Sequence, residues 1–263
     1  MIQKKIFSIL ALVIFISPLH AKDSFKTEDI YSIKSLSLSD VSDDGNSLIF
    51  VTSEANKKED NYKSTLYYLD IKKGKREMIL QSHGRRGMSF SSVRFSNDKK
   101  SIYFLSSGLS ASKKDGIQVW SMSLSNRIKK RMTDFDGDIS DYDISIDGET
   151  IAFIGTKNSE EESNEQTPSP IVIDRYQFKR DYEGYLGNKR DHLFVFNTKS
   201  KKTEQITSGQ RDHSYPSISP NGKIVAYMTK EGDFDRHNNW DIFIKNLVED
   251  ESPRKIKSKN DQD

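Results

Sequence analysis

The sequence predicts an all-β fold, a partial β-propeller of about four four-stranded antiparallel blades. Three observations predict it. First, one short pattern recurs at residues 41–51, 95–105, 144–154 and 217–228: a few small or polar residues, a tight turn, then an apolar strand. The turns are Asp44-Gly45, Asn97-Asp98-Lys99, Asp147-Gly148 and Asn221-Gly222, and Asn-Gly or Asp-Gly supplies the positive φ that a two-residue hairpin requires. Second, aligned on Gly45, Lys99, Gly148 and Gly222, the copies stand 54, 49 and 74 residues apart. A repeat of about 50 residues with strands in every copy is the signature of propeller blades. Third, the strands alternate with period two. Ile224, Ala226 and Met228 fall on one face and Val225 and Tyr227 on the other, the pattern of a sheet covered on both sides.

Composition agrees. A chain of 263 residues allows one or two domains and a sizeable core. Hydrophobic content of 34% beside 30% charged residues is polar for one compact body, yet suits blades that expose many turns. The aromatic residues sit largely within strand patterns, which argues against wholesale disorder. The chain has no cysteine, so no disulfide staples it.

The first 21 residues read as a signal peptide. Lys4 and Lys5 precede an apolar run over 6–16, and Ala21 offers a small residue at the cleavage position. The run falls short of the roughly 20 residues needed to span a bilayer, so the expectation is an exported protein, periplasmic or secreted, with no stable membrane span. Removing residues 1–21 takes away two lysines and no acid, which turns a net charge of +2 into a neutral chain. A neutral mature chain gives no reason to expect nucleic acid as a partner.

Taken in order, residues 22–34 are a polar lead-in, and the propeller is expected over 35–252. The first blade, about 35–81, opens near Ser35 and ends with two strands about a Lys-Lys-Gly-Lys turn; its charged loop 54–63 is a solvated connection. The second blade, about 88–134, closes with its outer pair around Asn126-Arg127. The third, about 138–208, carries an insertion at 157–191 between its second and third strands. The fourth, about 213–258, ends in a short strand near Arg254, and 253–263 is a charged tail. In each blade the apolar faces, including Phe153 and Ala226, form the core between neighbours, so a charge at either is expected to break a blade.

The insertion starts with an acidic, Pro-bearing stretch containing Glu160, Glu161 and Glu162, which reads as a solvated loop in preference to a metal site. Its second half gathers Tyr176, Phe178, Tyr182 and Tyr185 among Arg175, Lys179 and Arg180. This stretch reads as an extended hairpin packing its aromatics on a neighbouring blade. The alternative is the wall of a ligand or partner surface.

A search for chemistry is mostly negative, and no catalytic, cofactor-binding or metal-binding residue is assigned. There is no G-x-S-x-G elbow, and Gly87-Met88-Ser89-Phe90-Ser91 lacks the second glycine. There is no H-E-x-x-H motif. His83, His192, His213 and His237 are far apart in the sequence, each at a loop or at the start of a strand, and are expected to stand far apart as turn residues. Asp233-Phe234-Asp235 resembles part of a calcium loop but lacks its Gly and closing Glu, so it reads as a turn. Trp120 and Trp240 both belong to third strands and are expected to pack in the core.

The residues 217–233 followed by 238–247 resemble the propeller repeat shared by exported Tol-type translocation propellers and the prolyl oligopeptidase clan of serine peptidases. The stretch 170–209 is similar to the segment before the middle blade of the acylaminoacyl-peptidase and dipeptidyl-peptidase branch, through Ile173, Arg175, Tyr176, Gly184, Tyr185, His192, Leu193, Val195 and Thr207. In that branch a seven- or eight-bladed propeller precedes a catalytic α/β-hydrolase domain. The sequence departs from the branch in having about four blades and no catalytic domain, and the double-glutamate anchor of the dipeptidyl peptidases is not recognisable. The resemblance therefore implies a non-catalytic propeller region that gates or selects peptide substrates for an absent hydrolase domain, inactive alone. The alternative is a periplasmic protein-binding propeller of the Tol-translocation type. A third reading pairs two copies as a homodimer, because half a ring leaves two apolar blade faces uncovered.

Overall fold

The computed structural model describes residues 25–82, 89–107, 109, 116–158, 171–173, 175–181 and 184–256. A short 3-10 turn at Thr27–Ser32 lies in the lead-in and touches the first sheet. The first sheet is a meander of β1 (Lys34–Val41), β2 (Ser47–Asn56), β3 (Asn61–Asp70) and β4 (Lys75–Gln81). The second repeats it with β5 (Ser91–Phe95), β6 (Ser101–Ser106), β7 (Gln118–Ser123) and β8 (Lys129–Arg131). The third begins with β9 (Gly137–Ile144) and β10 (Thr150–Lys157), is interrupted by the two-stranded hairpin β11 (Lys179–Arg180) and β12 (Gly184–Tyr185), and resumes with β13 (His192–Asn197) and β14 (Thr203–Gln205). The fourth is β15 (His213–Ile218), β16 (Ile224–Thr229), β17 (Asp241–Asn246) and β18 (Arg254–Lys255). All pairings are antiparallel, and each four-stranded sheet comes from its own stretch of chain. Among the described residues no helix is long and apolar enough to cross a membrane.

The four turns are longer than the two-residue hairpins expected from Asn-Gly and Asp-Gly. Each is a five-residue connection, at 42–46, 96–100, 145–149 and 219–223, and each is built around its first serine. The Ser42 hydroxyl donates to Asp44 Oδ1 at 2.7 Å and accepts from the Ser47 amide at 3.0 Å, while Asp44 Oδ1 accepts the Asn46 amide at 3.1 Å. Ser96 with Asp98, Ser145 with Asp147 and Ser219 with Asn221 repeat all three contacts. The residue after the Asp or Asn takes a left-handed φ of 65° at Gly45, 58° at Lys99, 71° at Gly148 and 69° at Gly222. The serine hydroxyl satisfies a strand amide that the turn would otherwise orphan.

Side chains at alternate positions then stack the sheets in sequence. Ile49, Leu66, Ile79 and Leu80 of the first sheet meet Val93, Ile102, Phe104 and Met122 of the second. Leu105 and Val119 of the second meet Ile139, Tyr142, Ile151, Phe153, Phe194 and Phe196 of the third. Ala152, Ile154 and Leu193 of the third meet Ile218, Val225 and Tyr227 of the fourth. Polar clips cross the same seams. Asp40 accepts the Phe95 amide and Asp143 the Ile218 amide, each at 2.9 Å, and Arg94 donates to Asp143 at 2.9 Å. Such stacking of four-stranded meanders is a partial β-propeller.

One expectation changes here. Phe153 is fully buried between blades, but Ala226 lies on the outward face of the fourth sheet, only partly covered. The alternation puts Val225 and Tyr227 into the seam and turns Ala226 away, so a charge at Ala226 does not enter a seam of this chain.

Candidate functional site

On the face opposite the serine turns, the ends of β10 and β16 and the starts of β13, β15 and β17 converge. The insertion folds across this junction of the third and fourth blades and leaves a cleft of about 500 Å³, lined in part by Arg175, Tyr185, Asp191, His213, Lys230 and Trp240.

Two arginines fix the insertion there. The Arg175 side chain, only 9% exposed, pairs with Asp235 at 2.8 Å, and Asp235 is itself 15% exposed. Arg190 is buried and donates to three carbonyls, Gln210 at 2.7 Å, Lys189 at 2.9 Å and Gly187 at 3.2 Å. Its guanidinium thereby ties the return of the insertion to the chain entering the fourth blade, using the rigid fork that a lysine lacks. Asp191 bonds the Thr156 hydroxyl at the end of β10, and its amide donates to Asp212 at 3.1 Å.

His192 and His213 are not far apart, contrary to expectation. Their rings lie 5.4 Å apart, because they open β13 and β15 on stacked blades. His213 Nδ1 stands 3.0 Å from the Asp191 carbonyl, which can only accept, so Nδ1 carries the proton. Burial pushes both imidazoles below the usual histidine range; nearby Asp191 and Asp212 oppose this, while Lys157 and Arg190 beside His192 and Arg211 beside His213 reinforce it. His237 stands apart, its Nε2 2.7 Å from the Glu231 carbonyl, and His83 lies outside the described residues.

Asp233-Phe234-Asp235 forms a turn, with Gly232 at φ 63° and Asp235 engaged by Arg175. Trp120 packs partly buried against the first seam. Trp240 departs from the expected core role: it precedes β17 and lines the cleft, where Lys230 Nζ sits 5.1 Å above its ring. The hairpin aromatics also differ from the packing role read from sequence. Tyr176 is 69% exposed and Tyr185 53% exposed; Tyr185 stacks on Phe178, and the Arg236 guanidinium lies over Tyr176. Two strands of two residues each are too short to bury them. Glu160 to Glu162, Tyr182, Gly87 and Met88 lie outside the described residues, as does the segment 1–24.

The cleft is balanced in charge, with Arg175, Lys189 and Lys230 facing Asp191, Asp212 and Asp235, and its walls add Tyr185, Phe234 and Trp240. This mixture suits a zwitterionic, partly apolar ligand. It does not suit nucleophilic catalysis by Ser214, the serine among its lining residues. Ser214 follows His213 directly, and its buried hydroxyl has no hydrogen-bond partner, so no imidazole activates it. Sequence reasoning missed Arg190, Asp191, Asp212 and Lys230. The signal was present as a repeated tripeptide, Arg190-Asp191-His192 and Arg211-Asp212-His213, opening β13 and β15.

No protein-family model matches the chain. The uncharacterized peptidase YuxL of Bacillus subtilis is 26% identical over 212 residues, which is 78% of this chain and 31% of that protein. The uncomplexed acylaminoacyl peptidase of Pyrococcus horikoshii superimposes with a TM-score of 0.63 at 18% identity, over 89% of this chain and 34% of its own. The propeller domain of the trilobed protease from Pyrococcus furiosus, described as having an open velcro topology, superimposes with a TM-score of 0.51 at 17% identity, over 87% of this chain and 58% of its own. The chain thus spans about a third of the length of the curated peptidase it matches. What it has in common with these peptidase-family proteins is a propeller, built of four four-stranded antiparallel blades.

Proposed function

We propose that this propeller is the non-catalytic region of an exported serine peptidase, and that it gates or selects peptide substrates for an α/β-hydrolase domain. The observation that carries the reading is the cleft itself. It is roofed by an insertion pinned through Arg175 and Arg190, and it offers both charge signs and aromatic faces to a short peptide. The similarity to peptidase propellers supports the same reading. Because Trp240 lines the cleft, a Trp120→Phe variant reports on the cleft alone. Short peptides are expected to change its fluorescence saturably, and Trp240→Phe to abolish the signal, while the purified chain cleaves no aminoacyl or dipeptidyl chromogenic substrate. Silence of Trp240 towards a panel of acidic, basic and apolar tetrapeptides, or hydrolysis by the chain alone, would sink the proposal.

A second reading, a protein-binding propeller of the exported Tol-translocation type, draws on one observation: Ile171, Val172, Ile173 and Tyr176 are 56–77% exposed on the insertion. Capture of a folded protein partner that Tyr176→Ser and Val172→Ser abolish, without any peptide response at Trp240, would favour it. Both readings place the protein outside the cytoplasm. Sequencing the mature N-terminus from an exporting host should give Lys22, and an intact Met1 would count against export by a cleaved leader.

A further inference from the structure

We propose that a groove continuing the cleft past the insertion binds a carboxylate of the peptide, so that the propeller favours acidic over basic peptides. The inference rests on the reading of the cleft as a peptide site and names the class of peptide that site takes.

The groove begins where the cleft ends. Gln177, Lys230 and Asp235 line both, and the groove adds about 810 Å³ beside Tyr176, Phe178, Lys179, Arg236 and His237. The two spaces differ in charge. The cleft sets three cations, Arg175, Lys189 and Lys230, against the carboxylates of Asp191, Asp212 and Asp235. In the groove Lys179, Lys230 and Arg236 meet a single lining carboxylate, Asp235, and that one already holds Arg175 at 2.8 Å.

Each of the three cations is placed by an aromatic ring. Lys230 Nζ lies 5.1 Å from the centre of the Trp240 ring, the Arg236 guanidinium 5.2 Å from that of Tyr176, and Lys179 Nζ 5.7 Å from that of Tyr185. A ring face attracts a cation through its quadrupole and carries no net charge. It therefore fixes where the cation stands without neutralising it, as a carboxylate partner would. Lys230 also donates to the His237 carbonyl at 2.9 Å, a neutral partner, and an ammonium has two further protons to offer. Among the described residues no carboxylate pairs with Lys179 or Lys230. Arg236 reaches Asp233 at 3.4 Å, but the two side chains are 67% and 63% exposed, which makes that pair weak. A carboxylate entering the groove thus meets cations held in place and not already neutralised, and forms charge-assisted hydrogen bonds there. A basic side chain is repelled by the same three groups. The exposed faces of Tyr176 and Phe178 give the methylenes of a glutamate an apolar floor.

The carboxylate has two sources, an acidic side chain or the C-terminus of the peptide, and four tetrapeptides separate them. Three are C-terminal amides that differ at one position, carrying glutamate, glutamine or lysine; the fourth is the glutamine peptide with a free C-terminus. Binding is read from Trp240 fluorescence in the full chain with Trp120→Phe. The glutamate amide, the glutamine free acid or both are expected to bind at least about fivefold tighter than the glutamine amide, and which of them does identifies the source. The advantage should shrink between about 20 mM and about 500 mM salt. Lys179→Gln and Arg236→Gln change exposed side chains, so circular dichroism should be retained. Each should weaken the carboxylate-bearing peptide about threefold and leave the glutamine amide unchanged, and Arg236→Glu should move the preference towards the lysine peptide. Equal binding of all four peptides, preference for lysine in the unaltered groove, or variants that weaken the glutamine amide just as much would overturn the carboxylate site and leave the cleft reading standing. Silence of Trp240 towards all four would remove both.

Discussion

Single side chains decide how closely the blades approach. Gly137 opens β9 at φ 149°, and a Cβ there would stand 2.1 Å from the Thr156 carbonyl and 2.9 Å from Phe135. The obstruction is backbone on a paired strand, so Gly137→Ala should lower stability by about 2 kcal/mol or more, read as a fall in the urea midpoint without loss of slope. Ser145 is buried, and its hydroxyl both accepts the Thr150 amide and donates to Asp147. Ser145→Ala leaves that amide unsatisfied and should cost about 1–3 kcal/mol by the same measurement. Ser219→Ala at the more exposed fourth turn should cost less, because water can replace the hydroxyl.

Among the elements, the seams carry the stability. Phe153 is fully buried between the second and third blades and packs on Phe135 at 5.1 Å and Phe194 at 5.3 Å. Phe153→Ala should cost about 3–5 kcal/mol in thermal or urea unfolding, whereas Ala226→Ser on the outward face should change a dilute single chain little. The seam of the third and fourth blades has a pH dependence of its own. His192 and His213 are held neutral in the fold, with values below those of the unfolded chain. The unfolded state therefore takes up protons first. The stability they confer is complete above about pH 6.5 and is lost as pH falls through their lowered values. The urea midpoint should drop between pH 7.5 and 5.5, and replacing both histidines by glutamine should flatten that slope. Asp44, Asp98 and Asp147, held low by the serine hydroxyl of each turn, act in a separate and more acidic window. The strands themselves were legible, because alternation and repeat spacing are local and occur four times. The turn length was not: Asn-Gly suggests a short hairpin, and the deciding atom is a serine hydroxyl two residues before it. The cleft was legible only in part. Arg175, Tyr185 and His192 stood out in sequence, but the contact of His192 with His213 depends on stacking two blades, and Gln118, which bonds Thr133, Phe135 and Gly137, looks like any polar strand residue.

For the molecule as a whole, a row of sheets that touch only their neighbours behaves as a one-dimensional chain of coupled units. Among the described sheets the middle pair is braced on both sides and the outer pair on one, so amide exchange should be slowest in β10 and β13 and fastest in β1 and β18. The contiguity of each meander has a last consequence. Since none of the described four-stranded sheets borrows a strand from another, duplication or loss of one coding unit of about 50 residues adds or removes a whole wedge. The number of wedges can therefore change in single steps without disturbing the junctions between the remaining ones.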